Sequence, residues 1–206
     1  KVSQWGTGDY EAVTVKGHYA FCCTNGAGMD VIDISDPSNP IRAAGIDLPI
    51  NGYLTSIAIS GNYAYLGGYH IGLHIVDISN PLKPVFKRMI SPEDTTRNVL
   101  IDNNRLLYCG TTDLAIFNIS NPGSPVKLGS YRFSGADSWY FEVSGDYVFA
   151  IGSYYGLNII DISNPASPSL VYTYKPTSPH FSSVAISGAY LYITQWTSSG
   201  GNWIIM

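Results

Sequence analysis

The sequence predicts an all-β fold built from repeated four-stranded sheets, and three observations predict it. First, one phrase recurs four times: Val-Ile-Asp-Ile-Ser-Asp-Pro at 31–37, Ile-Val-Asp-Ile-Ser-Asn-Pro at 75–81, Ile-Phe-Asn-Ile-Ser-Asn-Pro at 116–122 and Ile-Ile-Asp-Ile-Ser-Asn-Pro at 159–165. Second, its third residue falls at Asp33, Asp77, Asn118 and Asp161, in steps of 44, 41 and 43. Self-similarity at such a period marks a repeat array. Third, charged residues make up only 13% of the chain while Tyr (16) and Gly (21) are plentiful. That balance favours strands over helices.

Aligning the repeats separates four strand-like segments per period. The first is Val13–Lys16, Ile57–Ser60, Val99–Asp102, Phe141–Ser144 and Val184–Ser187. Gly17-His18, Gly61-Asn62, Asn103-Asn104, Gly145-Asp146 and Gly188-Ala189 follow, and suit tight hairpin turns that need positive φ. A Tyr-rich second strand comes next, at Tyr19–Cys23, Tyr63–Gly67, Arg105–Cys109, Tyr147–Ile151 and Tyr190–Thr194. The third strand is the recurring phrase, entered through Gly28, Gly72, Gly156 and Gly201. Its Asp/Asn-Pro must end the strand, because Asx side chains bond nearby backbone N–H groups and Pro cannot donate to a ladder. A fourth strand then runs out, as at Val126–Arg132. Four consecutive antiparallel strands, repeated around a centre, describe a β-propeller blade.

The ends set the expected blade count. The fifth unit has three strands, Trp203–Met206 being the third, with Met206 where the Asp belongs. Lys1–Gly8 has the pattern of a fourth strand. The expectation is a single domain, 1–206, of five four-stranded blades closed by pairing of the N-terminal strand with the C-terminal unit. Closure would remove exposed sheet edges. The alternative is a fragment of a larger repeat protein.

The string Gly-Leu-His-Ile-Val-Asp-Ile-Ser-Asn-Pro at 72–81, with its copies, resembles the LVIVD repeat family. The resemblance spans essentially the whole chain. It implies a β-propeller, commonly on exported or surface proteins of bacteria and archaea, mostly without an assigned activity, and so an extracellular or cell-surface location.

Composition narrows the function. A net charge of −4 argues against a nucleic-acid partner, which needs a basic footprint. No apolar run approaches the ~20 residues of a membrane span. Cys22, Cys23 and Cys109 cannot all pair, so they read as small buried hydrophobes. There is no Gly-rich phosphate loop, nucleophile elbow or Cys-x-x-Cys pair, and no cofactor or metal is expected. His70 and His74 lie four apart, but Gly72 separates loop from strand, so helical metal-ligand spacing does not apply. Asn118-Ile119-Ser120 matches a glycosylation acceptor, but the Asn118 side chain is already used in a turn.

The repeats differ most where one unit leads into the next and between second and third strands, which is where grafted function is expected. Tyr53, Tyr69, His70, Arg97, Trp139, Tyr140, Tyr154, Tyr155, His180, Phe181 and Trp196 make that face aromatic and form the candidate ligand-binding set. Such rings stack on sugars or anchor proteins. Glu142 replaces Thr14, Ala58, Leu100 and Ala185 of the other units, and pairing with Arg97 or a Tyr is expected, since an unpaired buried charge is costly. The expected function is a non-enzymatic binding or scaffold module for a protein or carbohydrate. One alternative is a glycoside-processing enzyme drawing on Glu11, Asp94, Asp137 and Glu142, which would need two acids roughly 5–10 Å apart. The other is a structural unit that self-associates.

Overall fold

A computed structural model of the chain describes residues 9–24, 26, 28–50, 52–90, 95–134, 138–152, 156–175, 181–196 and 202–205, with backbone alone at 138, 139, 196 and 202–205. Every regular element among them is a strand, and all pairing is antiparallel. The first sheet holds β1 (Tyr10–Lys16), β2 (Tyr19–Thr24), β3 (Gly28–Asp33) and β4 (Ile41–Asp47). The second holds β5 (Tyr53–Ser60), β6 (Tyr63–Tyr69), β7 (Leu73–Asp77) and β8 (Val85–Ile90). The third holds β9 (Thr96–Asp102), β10 (Arg105–Gly110), β11 (Asp113–Asn118) and β12 (Val126–Arg132). The fourth holds β13 (Ser138–Ser144), β14 (Tyr147–Gly152), β15 (Gly156–Asp161) and β16 (Ser169–Tyr174). The last has three described strands, β17 (Phe181–Ser187), β18 (Tyr190–Trp196) and β19 (Asn202–Ile205). Within each sheet the strands pair in chain order.

The turns follow from local chemistry. Gly17, Gly61, Asn103, Gly145 and Gly188 all have φ between 53° and 60°. A Cβ at Gly17 would meet nothing within 4 Å, so the backbone angle alone demands glycine there. In each signature the Asx side chain accepts the N–H two residues on: Ser35 to Asp33 (2.8 Å), Ser79 to Asp77 (2.9 Å), Ser120 to Asn118 (2.8 Å) and Ser163 to Asp161 (2.8 Å). The intervening Ile34, Ile78, Ile119 and Ile162 N–H groups donate to the carbonyls of His18, Asn62, Asn104 and Asp146 in the hairpin turns. Each of the first four sheets thereby fastens its own exit to its own hairpin. These bonds hold the aspartates below the usual carboxylate value, mainly through the Ser35 backbone N–H for Asp33 and the Ser79 and Ser163 hydroxyls for Asp77 and Asp161.

Four apolar clusters lie between successive sheets. Phe21 and Val31 meet Leu54 and Ile57, Tyr65 and Ile75 meet Val99 and Leu106, Leu107 and Ile116 meet Phe141 and Val148, and Ile151 meets Phe181 and Val184. First strands pack on first strands, β1 on β5, β5 on β9, β9 on β13 and β13 on β17. Among the described residues no such packing joins β17 to β1, and Val13 and Val15 are 63% and 58% exposed. The expected closing strand, Lys1–Gly8, lies outside the described residues.

One expectation needs correction. The first strands begin three or four residues earlier than the turn signals suggested, so Tyr53, Arg97, Tyr140 and Phe181 lie on strands and not in connections. In the last sheet Ile193 pairs with Ile205, as Cys22 pairs with Asp30 in the first, and Met206 lies outside the described residues. Cys23 and Cys109 are fully buried as expected, whereas Cys22 is only half-buried, and burial pushes the Cys23 thiol up to about 12.

Candidate functional site

Every first strand carries a bulge at the same place, near its start. Pairing jumps from Tyr10↔Thr24 to Ala12↔Cys23, leaving Glu11 out of register. The same jump leaves out Thr55 in β5, Arg97 in β9, Trp139 in β13 and Ser182 in β17. A bulge re-aims the extra residue and is over-represented beside active sites. Here one backbone device presents a different residue from each sheet: Glu, Thr, Arg, Trp and Ser.

Three of these residues line a cavity of about 180 Å³, completed by Tyr69, Asn98 and Tyr140. Its walls therefore come from four successive sheets. The Arg97 guanidinium sits 4.4 Å from the centre of the Tyr69 ring, a cation–π distance. Thr55 Oγ1 donates to the Arg97 carbonyl at 3.0 Å and holds the bulge of β9 against that of β5. Ser56 accepts the Val99 N–H at 3.0 Å, and its hydroxyl donates to Asn98 Oδ1 at 3.1 Å. That bond commits the amide oxygen of Asn98 and leaves its Nδ2 as a donor at the cavity wall. The described lining thus holds two planar donors, one acid and two aromatic rings.

Of the residues singled out from sequence, Tyr69, Arg97 and Tyr140 come together here. Tyr53 is 58% exposed and pairs with Tyr69 across the β5–β6 ladder. His70 is exposed, adopts φ 58° and sets its ring edge-on to Tyr69 at 5.6 Å. Trp139 occupies the bulge place of β13, and Trp196 ends β18. Tyr154, Tyr155 and His180, like Asp94 and Asp137, lie outside the described residues. Phe181 is a correction: it is 3% exposed, in the cluster between the last two sheets, with its ring stacked 6.4 Å from Tyr174. It offers a ligand nothing.

Glu142 is another correction. It lies mid-strand opposite Phe149, faces the last sheet, and pairs with no cation or tyrosine among the described residues. Burial raises its pKa, opposed by the Val143 N–H. Among the described residues no three metal-ligating side chains gather. His74 is 1% exposed between the first two sheets, with Phe86 5.8 Å away, and burial lowers its pKa against the opposing Gly72 backbone bond. Glu11, Thr55 and Asn98 were not in the aromatic set read from sequence. Their signal is a pairing register, which a single strand does not display.

Repeated antiparallel meanders with a constant turn end and a variable bulged end define an all-β repeat protein. The sequence matches the LVIVD repeat at residues 7–45, 51–90, 105–132, 135–176 and 180–199, and the chain belongs to the LVIVD repeat family. Among solved structures it is similar to the computationally designed Ika8 protein (TM-score 0.75, 12% identity, 95% of this chain and 57% of that one). A functionally unknown protein from Desulfotomaculum acetoxidans is similar too (TM-score 0.73, 14% identity, 97% of this chain and 70% of that one). So is a protein from Lactobacillus plantarum (TM-score 0.78, 12% identity, 96% and 70%). The chain therefore spans little more than half the length of the designed protein. No curated protein matches the sequence.

Proposed function

We propose that this protein is a non-enzymatic β-propeller module, with the five sheets as its blades, which binds a partner through its variable face. The best-supported ligand is a carbohydrate seated in the cavity at the mouth between the first strands; a protein contact across Tyr53 and Tyr140 would use the same face. One observation carries this reading: bulges at equivalent positions bring Glu11, Thr55 and Arg97 to one cavity beside Tyr69, Asn98 and Tyr140. Planar polar side chains match the paired hydroxyls of a sugar, and a ring face covers its C–H side. Export or surface attachment rests on the family resemblance.

Glycoside processing would require a second carboxylate beside Glu11. Glu11 is the one acid among the described lining residues. Calorimetric titration with oligosaccharides selected on a glycan array tests the proposal. Tyr140→Ala and Glu11→Gln should each weaken binding at least about tenfold, which corresponds to about 1.4 kcal/mol, with the melt in place. Full-strength binding in both variants refutes the site. Release of reducing ends that stops in Glu11→Gln identifies an enzyme instead.

A further inference from the structure

Resting on the carbohydrate reading of this cavity, we infer that its ligand is an amino sugar whose protonated amine is received by Glu11. The described lining holds one acid, Glu11, and one base, Arg97. They come from the first and third sheets, with Thr55 of the second sheet between them. The ammonium then lies against the first sheet and the oxygen-rich edge of the sugar against the third.

The two charges differ in what already answers them. The Arg97 guanidinium lies 4.4 Å from the centre of the Tyr69 ring, and a ring face at that distance attracts a cation. Glu11 takes part in no hydrogen bond or ion pair among the described residues. The described Lys and Arg of its own sheet are committed elsewhere. Arg42 sits 2.8 Å from Asp30, which also accepts the Tyr10 hydroxyl at 2.9 Å. Lys16, at the far end of β1, donates to the Gly61 carbonyl and, at 3.0 Å, to Asn62 Oδ1. The bulge of β1 therefore presents to the cavity a carboxylate that no cation of its sheet neutralises.

An ionised carboxylate only accepts, so a ligand must meet it with a donor. A cationic donor makes the shorter and stronger bond. The other walls suit the rest of a hexosamine. Asn98 Nδ2 offers a donor to sugar oxygens, while Thr55 Oγ1, whose hydrogen is committed to the Arg97 carbonyl, keeps its capacity to accept. Tyr69 already carries Arg97 and, edge-on, His70. Tyr140, 47% exposed, is then the ring that covers the C–H face of the sugar. A net charge of −4 draws a cationic saccharide toward the chain.

Calorimetric titration of the full chain tests the inference with three oligosaccharides of one length and linkage. One is built from glucosamine, one from N-acetylglucosamine and one from glucose, at a pH where the free amine is protonated. The glucosamine oligomer should bind at least about tenfold tighter than the other two, the scale of one charge-assisted hydrogen bond. In Glu11→Gln that preference should fall below about twofold, with the melt in place. Asp36→Asn removes the same charge at the signature end, where Asn80 shows that an amide oxygen still accepts the turn N–H, and should keep the preference. Equal affinity for the three oligomers, or a preference that survives Glu11→Gln, overturns the inference. If all three fail to bind while a neutral saccharide from the array binds and loses affinity in Tyr140→Ala, the amine falls and the carbohydrate site stands. If no saccharide binds, both fall.

Discussion

The two ends of each sheet solve opposite problems with equally regular backbone. At the signature end the geometry and the side chains both repeat, as Asp33, Asp77, Asn118 and Asp161 each hold a serine N–H at 2.8–2.9 Å. At the bulged end the geometry repeats and the side chains do not, giving Glu11, Thr55, Arg97, Trp139 and Ser182 at equivalent places. The difference lies in what the side chain is for. An Asx side chain is itself the device that turns the chain, so it cannot vary freely. A bulge is made by the backbone, so its side chain is free to serve something else.

The largest expected effect breaks the framework end. Ile78 is 2% exposed between the first two sheets, and its N–H holds the Asn62 carbonyl at 2.8 Å. Ile78→Ala should cost about 2–5 kcal/mol, read by chemical denaturation. Next, acid should unfold the protein through the signature aspartates. Their folded-state pKa values are lowered, so their stabilisation is full above the ordinary carboxylate range and fades as pH falls through the folded values. Replacing Asp33, Asp77 and Asp161 together by Asn should flatten that acid limb, because the amide oxygen still accepts the serine N–H as Asn118 does. Singly, Asp77→Ala should cost about 1 kcal/mol and leave affinity at the bulged end unchanged in titration.

A smaller effect concerns His74. Its lowered pKa means that the unfolded chain takes up a proton near pH 6.5 that the folded chain refuses, so stability should decline as pH drops below about 6.5. Melts of His74→Leu should lose this slope. The smallest effect on stability sharpens the contrast from the other side: Glu11→Ala and Tyr140→Ala should leave the melt in place, since both side chains are exposed.

Features written in local chemistry were legible from sequence. Glycine at positive φ placed all but one of the first hairpin turns and Asn103 the other, and Asx-Ile-Ser-Asx-Pro marked the third-strand exits. Features set by pairing were not. The bulges depend on which residue faces Thr24 or Gly152 across the ladder, and no property of Glu11 or Trp139 announces it. Strand starts were missed for the same reason: polar residues at 96–98 look like a connection until β10 pairs with them. Phe181 shows the limit of counting aromatics, since a ring near a loop serves the core as readily as a ligand. Three of the aromatic set do converge, at Tyr69, Arg97 and Tyr140, because strand ends carry the variation between repeats.

The tie between each signature isoleucine and its own hairpin turn has a kinetic consequence. Every ladder among the described residues pairs neighbours in sequence, so each meander can assemble before it meets another sheet. Chain closure then involves short loops only, which keeps the entropic barrier of each step low. Growth can begin at any internal unit and spread in both directions.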